Sequence, residues 1–299
     1  MMAIPSRRRS AAPYAFVAPA VVLFTLLLLV PIGYTVYLSL ERARVTGLGL
    51  GAGARTQVFA GWANYASALT DHEFLGSLGR VLVYSVILVP VMLGLALLFA
   101  LLLDARRVRF QRFSRLAIFL PYAVPTVIAT LLWGFLYLPA VSPFTTILHE
   151  AGLSMPNLFA TRTVLFSVAN IGVWGGTGFN MIIMYTALRS VPSELYEAAR
   201  IDGATQWQIA WRVKIPMISP ALVLTGVFSI IATLQVFNEP NTLAPLTNTI
   251  SPVWTPLMRV YDLAFTNNDI YGAAALSIVI TAAMFVLSYG LLRVARRWS

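Results

Sequence analysis

Charge and reactive side chains are scarce in this 299-residue sequence. Only 11% of its residues are charged, and it has no cysteine, two histidines and one lysine. The lack of cysteine excludes disulfides and thiolate metal sites. A P-loop needs a lysine directly after a glycine, and Lys214 follows Val213. His72 and His149 lie far apart and form no zinc-hydrolase pattern. The sequence therefore offers no catalytic residue, no metal site and no nucleotide site of its own.

Long uncharged runs are abundant instead. The chain is 59% hydrophobic, whereas a soluble domain has roughly 25% charged residues. A transmembrane helix needs about 20 apolar residues, and six runs reach that length. The sequence therefore predicts an all-α polytopic membrane protein with six transmembrane helices. The predicted spans cover about 14–40, 81–103, 116–138, 163–188, 217–239 and 271–292.

A seventh apolar run, over residues 240–258, contains four prolines. We predict a loop or a re-entrant segment there. Because irregular backbone is not tolerated against lipid, this segment must be covered by protein or lie outside the bilayer.

The net charge of +10 is distributed unevenly between the two sides of the predicted membrane. Fifteen of the 21 Lys and Arg residues fall in the two termini and in the second and fourth connections, and six fall in the other connections. Because cytoplasmic loops are enriched in Lys and Arg, both termini are predicted to be cytoplasmic. The predicted order is a tail over 1–13, a permease domain over 14–299, an external loop over 41–80 and a cytoplasmic loop over 189–216. Charges confined to span ends also argue against nucleic acid as a partner.

The segment 193–216 is a polar, amphipathic stretch between two apolar runs. Its pattern predicts two short helices joined at Gly203, which suits a helix stop. Ser193 is placed to cap the first helix, and Thr205 with Gln208 fits a capping box for the second. An interfacial helix lying on lipid is the alternative, but the Glu, Asp and Gln content of the segment disfavours it.

This segment resembles the signature of ABC-importer permeases. That signature has Glu-Ala-Ala, then Gly, then Ile-x-Leu-Pro. Here it is Glu197-Ala198-Ala199, Gly203 and Val213-x-Ile215-Pro216, with complete spacing. The carbohydrate-uptake branch of maltose, glycerol-phosphate and trehalose-type permeases is similar in five further segments, namely 191–196, 201–204, 61–65, 119–121 and 271–274. One departure is that 243–248 lacks the glycine pair usual in that branch.

The resemblance implies a complex whose other parts this chain lacks. These are a second homologous permease, two copies of a cytoplasmic ABC ATPase that bind ATP and Mg²⁺, and an extracytoplasmic solute-binding protein or lipoprotein. The chain itself would hold no cofactor and would span the cytoplasmic (inner) membrane of a prokaryote, in contact with its lipid. The loop 189–216 would carry a coupling helix that docks on the ATPase. The implied ATPase-coupling residues are Glu197, Ala198, Ala199, Ile201, Asp202 and Gly203.

The substrate path is predicted on the fourth and fifth spans. Aromatic rings beside amides and hydroxyls suit a sugar, and polar groups within a span are costly unless they face protein or water. The glycines of the fourth span allow a local break, and Pro240 prevents a regular continuation of the fifth. The alternative is close helix packing through small residues. The candidate residues are Trp174, Gly176, Phe179, Asn180, Thr233, Gln235, Phe237, Asn238 and Glu239.

Three functions remain open from the sequence. The first is a permease subunit of a sugar importer. The second is an ABC permease for another solute, such as a glycerol phosphodiester or a polyamine. An anionic solute is disfavoured because the predicted fourth and fifth spans contain no Lys or Arg. The third is a stand-alone channel or membrane enzyme, neither of which would need the coupling signature.

Overall fold

The computed structural model describes residues 12–45, 55–105 and 110–295. Three features of the sequence lie wholly or mainly outside these residues. They are the predicted tail, the glycine-rich part of the external loop and several of the arginines used to predict the membrane orientation. The chain divides into two compact units, one within 1–69 and 263–279 and the other within 70–262 and 280–299.

The described residues form mainly helices. The helices are α1 Ala12–Phe24, α2 Val30–Ser39, α3 Ala63–Thr70, α4 His72–Leu103, α5 Gln111–Ala123, α6 Thr126–Tyr137, α7 Pro143–Glu150, α8 Val164–Ser190, α9 Ser193–Ile201, α10 Gln206–Ile209, α11 Ile215–Met217, α12 Ser219–Leu234, α13 Asn238–Leu243, α14 Pro256–Tyr261 and α15 Ile270–Ala295. The π-helical segments are Thr25–Leu29, Ala210–Lys214 and Asp262–Thr266, and Ala244–Leu246 is a 3₁₀ turn. The strands are β1 Glu41–Val45 and β2 Arg55–Phe59.

The first unit adds one feature that the all-α prediction lacks. Strands β1 and β2 pair antiparallel, with Glu41 opposite Phe59 and Val45 opposite Arg55. The Asn64 side chain donates hydrogen bonds to the carbonyl oxygens of Ser39 (2.9 Å) and Glu41 (2.7 Å). These bonds join the end of α2 and the start of the hairpin to the segment that contains α3.

The second unit is organised around the packing of α4 against α8. At one end of this contact, Ala96 and Ala100 of α4 are fully buried and share a core with Met181 and Met184 of α8. At the other end, the small residue is on α8. A methyl group added at Gly172 would lie 2.5 Å from a Leu88 methyl carbon. The small residues belong to α4 at one end of the contact and to α8 at the other, and they let the two helix axes approach closely.

The third predicted span is broken. Helices α5 and α6 meet at a bend of 94°. Pro125 has no amide hydrogen to donate and disfavours helical backbone at the residue before it, and Val124 is extended, with φ −77° and ψ 128°. The run over 116–138 thus contains two helices.

The fifth predicted span is also interrupted, but not at the predicted residue. Helix α12 ends at Leu234, and α13 begins at Asn238 and includes Pro240. Pro240 is tolerated there because the first turn of a helix leaves its amide groups without intrahelical partners. The segment 240–258 that follows is covered by protein, since Pro240, Leu243, Ile250 and Trp254 are buried.

An ion-pair cluster fixes α14 at the start of α4. Asp71 caps α4 by accepting hydrogen bonds from the amides of Glu73 (2.9 Å) and Phe74 (3.3 Å). The Arg259 guanidinium contacts the carboxylates of Asp71 (2.9 Å), Glu73 (3.0 Å) and Asp262 (3.3 Å). Partial burial alone would raise the pKa of Asp71, but the Arg259 hydrogen bond and charge, with the two amides, lower it below its usual value.

The count of six spans remains a prediction. Among the described residues, four helical stretches are long and apolar enough to cross a membrane, one of them the interrupted stretch Ser219–Leu246, and the α5–α6 pair makes a fifth if the bent pair is one span. Helix α8 has 27 residues, but its glycines and asparagines make it less apolar. It is also continuous, so the local break that the sequence allowed at its glycines does not occur.

We predict that Gly178 and Gly175 respond oppositely to alanine. A methyl group at Gly178 would lie 2.2 Å from the Ile118 carbonyl oxygen of α5, whereas one at Gly175 meets nothing within 4 Å. Gly178→Ala should cost about 1–3 kcal/mol by overpacking. Gly175→Ala should be neutral or stabilising by up to about 1 kcal/mol, through helix propensity. Thermal unfolding in detergent measures both, and equal unfolding temperatures would contradict the close α5–α8 approach.

Candidate functional site

The second unit contains a cavity of about 500 Å³ between the middle of α4, the α5–α6 bend, α8 and the α12–α13 break. All nine residues predicted for the substrate path line this cavity. They come together because both helix breaks open toward the same side of the α4–α8 pair. Whether these residues contact a substrate stays a prediction.

Aromatic rings form one part of the cavity wall. Phe179 stacks on Tyr122 at the α5–α6 bend, with ring centroids 4.7 Å apart and planes at 18°. Trp174 meets Trp133 edge-on at 5.9 Å, and Phe237 lies against Tyr261 of α14 at 5.7 Å. The Arg259 cluster that holds α14 therefore also supports Phe237.

Two of the predicted polar residues bond within the protein. Asn180 is buried, and its side chain donates to the Gly176 carbonyl oxygen (2.9 Å) and accepts from Ser229 (3.5 Å). Thr233 is buried, and its hydroxyl donates to the Ile230 carbonyl oxygen and lies 2.8 Å from the Ser85 hydroxyl. These two side chains hold α4, α8 and α12 together.

The remaining polar residues are accessible. Gln235 and Asn238 are exposed and flank the break between α12 and α13. Glu239, in the first turn of α13, is the one charged residue in the cavity lining, all of which belongs to the described part of the chain. The lining has no Lys, Arg or His, so no cationic side chain is placed to bind an anion.

Sequence reasoning missed several cavity residues. Tyr122, Val124 and Thr126 line the cavity because of the α5–α6 bend, and Tyr84 and Phe228 line it from α4 and α12. The Pro121–Pro125 spacing was the available signal for the bend, because each proline weakens a helix at its own position.

The segment 189–216, called here the coupling segment, has the two predicted short helices. Helix α9 ends at Ile201, and Gly203 has φ +80°. The amide of Gly203 bonds to the Arg200 carbonyl oxygen and that of Ala204 to the Ala199 carbonyl oxygen, which is a Schellman motif. The predicted capping box of Thr205 and Gln208 is present.

Two details of the coupling segment differ from expectation. The cap position of α9 is occupied by Pro192, whose side chain has no acceptor, and Ser193 is the first helical residue. Helical backbone also continues beyond α10 through the π-helical turn to Met217.

Several apolar side chains of the coupling segment are exposed, with Ile201 at 87% and Trp207 at 72% of full exposure, whereas Ile209 is buried. Glu197, Ala198 and Asp202 are exposed and Ala199 is half-buried. Exposed aromatic and aliphatic side chains beside acidic ones are typical of an interaction surface.

Comparison with known proteins identifies a match to one family. Residues 92–298 match the family described as binding-protein-dependent transport system inner membrane component. The chain is 34% identical over 230 residues to the osmoprotective compounds uptake permease protein GgtC of Synechocystis sp., covering 75% of this chain and 78% of that protein. It is 29% identical over 280 residues to the sn-glycerol-3-phosphate transport system permease protein UgpA of Agrobacterium fabrum, covering 92% of each.

Solved structures share the fold. The chain is similar to one in the crystal structure of a bacterial ABC transporter that imports the acidic polysaccharide alginate. The TM-score is 0.79 with 20% identity, and the match covers 97% of this chain and 96% of that one.

We predict that the two cavity asparagines behave differently. Asn180→Ala removes hydrogen bonds in a buried site and should cost about 1–3 kcal/mol of stability. Asn238→Ala removes an exposed amide and should leave the unfolding temperature unchanged. Thermal unfolding of the detergent-solubilised protein compares them directly. Equal losses would show that Asn238 is also a packing residue.

Proposed function

This chain belongs to the family of binding-protein-dependent transport system inner membrane components, and we propose that it forms half of the translocation path for an uncharged sugar or polyol. It is a multi-pass permease subunit and not itself an enzyme. Its partners in the proposed complex are a second homologous permease, two ABC ATPase subunits that bind ATP and Mg²⁺, and an extracytoplasmic solute-binding protein. Both termini and the coupling segment are proposed to face the cytoplasm.

The cavity lining is the observation that carries the substrate class. Trp174, Phe179 and Phe237 offer ring faces to the apolar side of a sugar, and Gln235 and Asn238 offer amides to its hydroxyl groups. Phosphate and carboxylate groups are recognised by Arg and Lys side chains, and the lining has neither. This composition disfavours the glycerol phosphate that gives UgpA its name and the acidic polysaccharide imported by the alginate transporter.

Glu239 supports one alternative. A carboxylate in the cavity lining can accept hydrogen bonds from sugar hydroxyls, but it can also pair with a cationic solute such as a polyamine. Glu239→Gln keeps most of the hydrogen-bonding capacity and removes the charge. Sugar uptake that survives this change supports the sugar assignment, and cation uptake that is lost through it supports the alternative.

Transport would proceed by transfer of motion from the ATPase to the cavity. The coupling segment is proposed to sit in a cleft of the ATPase, with the exposed Ile201 and the small Ala198 and Ala199 at the contact. Closure of the ATPase pair would move this segment and, with it, α8 and α12, which are joined to it through the chain. Because both helices line the cavity, their movement changes its access.

The substrate prediction is tested with the complex in proteoliposomes and its binding protein. Phe237→Ala and Asn238→Ala should each weaken substrate-stimulated ATP hydrolysis about tenfold, the effect of losing about 1.4 kcal/mol, while basal hydrolysis persists. Phe285→Ala is the matched control, because Phe285 is 77% exposed on α15 and does not line the cavity. Neutral sugars, glycerol 3-phosphate and spermidine form the substrate panel. Normal stimulation in both cavity variants would assign these residues to packing.

The coupling prediction depends on the backbone of Gly203. Its φ is +80°, and a Cβ added there meets nothing within 4 Å in this chain, so a substitution acts within the permease through backbone conformation and not through a clash. Asn tolerates this region, whereas a β-branched residue is strained by about 1–2 kcal/mol. Gly203→Val should therefore abolish uptake, and Gly203→Asn should retain most of it, with equal membrane insertion of both. Full uptake by Gly203→Val would refute the assigned role of this turn.

A further inference from the structure

The side chain of Lys214, the only lysine in the sequence, lies inside the protein next to the coupling segment's junction with the fifth span. Lys214 ends the π-helical turn Ala210–Lys214. Its ammonium group pairs with the carboxylate of Asp104, the residue that follows α4, and the two side chains are 13% and 6% exposed. The same nitrogen lies 5.1 Å from the ring centroid of Tyr196 in α9.

The end of α4, which is distant in sequence, therefore meets two parts of the coupling segment at one charged contact. The Tyr196 hydroxyl also donates to the Leu188 carbonyl oxygen near the end of α8 (3.4 Å). Burial and the negative charge of Asp104 raise the pKa of Tyr196. Removing one partner of the ion pair would leave the other charge buried without compensation.

The position of the pair gives it a mechanical consequence. The coupling segment continues directly into α8 on one side and α12 on the other, but α4 is separated from it by more than 80 residues of chain. The ion pair attaches the segment to α4 as well. Helix α4 carries Tyr84, Leu88 and Met92 in the cavity lining, so a displacement transmitted through this pair reaches the part of the cavity wall that α4 forms.

We propose that Asp104 and Lys214 are positioning residues that transmit movement of the coupling segment to α4. This inference rests on the proposed docking of the segment on the ATPase. It adds that α4 moves with the segment because of a part-buried ion pair, not only because of its packing against α8.

The functional test measures solute transported per ATP hydrolysed by the reconstituted complex. Lys214→Met and Asp104→Asn should each lower this ratio about tenfold, while basal ATP hydrolysis and assembly persist. The exchanged pair Asp104→Lys with Lys214→Asp and the conservative Lys214→Arg should restore it. Arg293→Met, which removes a positive charge from the end of α15, is the control and should keep the normal ratio.

Two results would overturn the proposal. One is a wild-type ratio in both single variants. The other is a ratio in Lys214→Arg as low as in Lys214→Met, because a retained charge would then give no rescue. If the exchanged pair does not assemble, Lys214→Arg still tests whether a retained charge restores the ratio, and the assembly and basal ATP hydrolysis of Lys214→Met separate transmission from folding.

A chemical test examines the ion pair without relying on transport. Because the chain has a single lysine, acylation by an N-hydroxysuccinimide ester at Lys214 can be followed by peptide mass mapping. Labelling should be slow in the resting wild-type complex and at least about tenfold faster in Asp104→Asn, where the ammonium group is released. Fast labelling of the wild type would refute the buried pair. Slow labelling of the wild type, together with an unchanged transport ratio in the single variants, would support the pair but refute its role in transmission. Uptake that is unaffected by Gly203→Val would instead refute the docking of the coupling segment on the ATPase.

Discussion

The close contact between α4 and α8 is the constraint on which the second unit depends. Without a hydrophobic driving force between helices in lipid, packing of small residues against large ones has to supply the stabilisation. Here the small residues alternate between the helices, with Ala96 and Ala100 on α4 and Gly172 and Gly176 on α8. This close pair forms one wall of the cavity, and both interrupted helices, α5–α6 and α12–α13, are arranged against it.

The two interruptions make the cavity. A regular helix satisfies its own backbone, so each break inside a membrane has to be covered by protein. The α12–α13 break is covered by buried side chains of 240–258, such as Leu243 and Trp254, and α14 is held by Arg259. The same cover supports Phe237, through Tyr261. Irregular backbone and a polar, ring-lined cavity thus occur at one place for one physical reason.

The sequence predicts the helical membrane fold and the family well, because hydrophobic run length and motif spacing are local properties. Gly203 and the Thr205–Gln208 capping box were predictable for the same reason, since each acts within a few residues. The hairpin β1–β2 was not predicted, because the glycine-rich residues between the strands indicate a loop but do not indicate that the residues on either side of it pair as strands. The break in the fifth span was misplaced because a proline in a first turn and one inside a helix look alike in sequence.

The candidate site shows the same division between local and long-range information. Every predicted path residue lines the cavity, because polar groups in apolar spans are informative wherever they occur. Their separate roles were not predictable, since Asn180 and Asn238 are the same residue type and differ only in what α4 and α12 bring near them. The Asp104–Lys214 pair is the extreme case. Its partners are 110 residues apart, and in the sequence each one indicates only a charge at the end of a span. Only the folded chain shows that these two ends meet at the coupling segment. The contact is thereby placed to carry a movement of that segment to the part of the cavity wall that α4 forms.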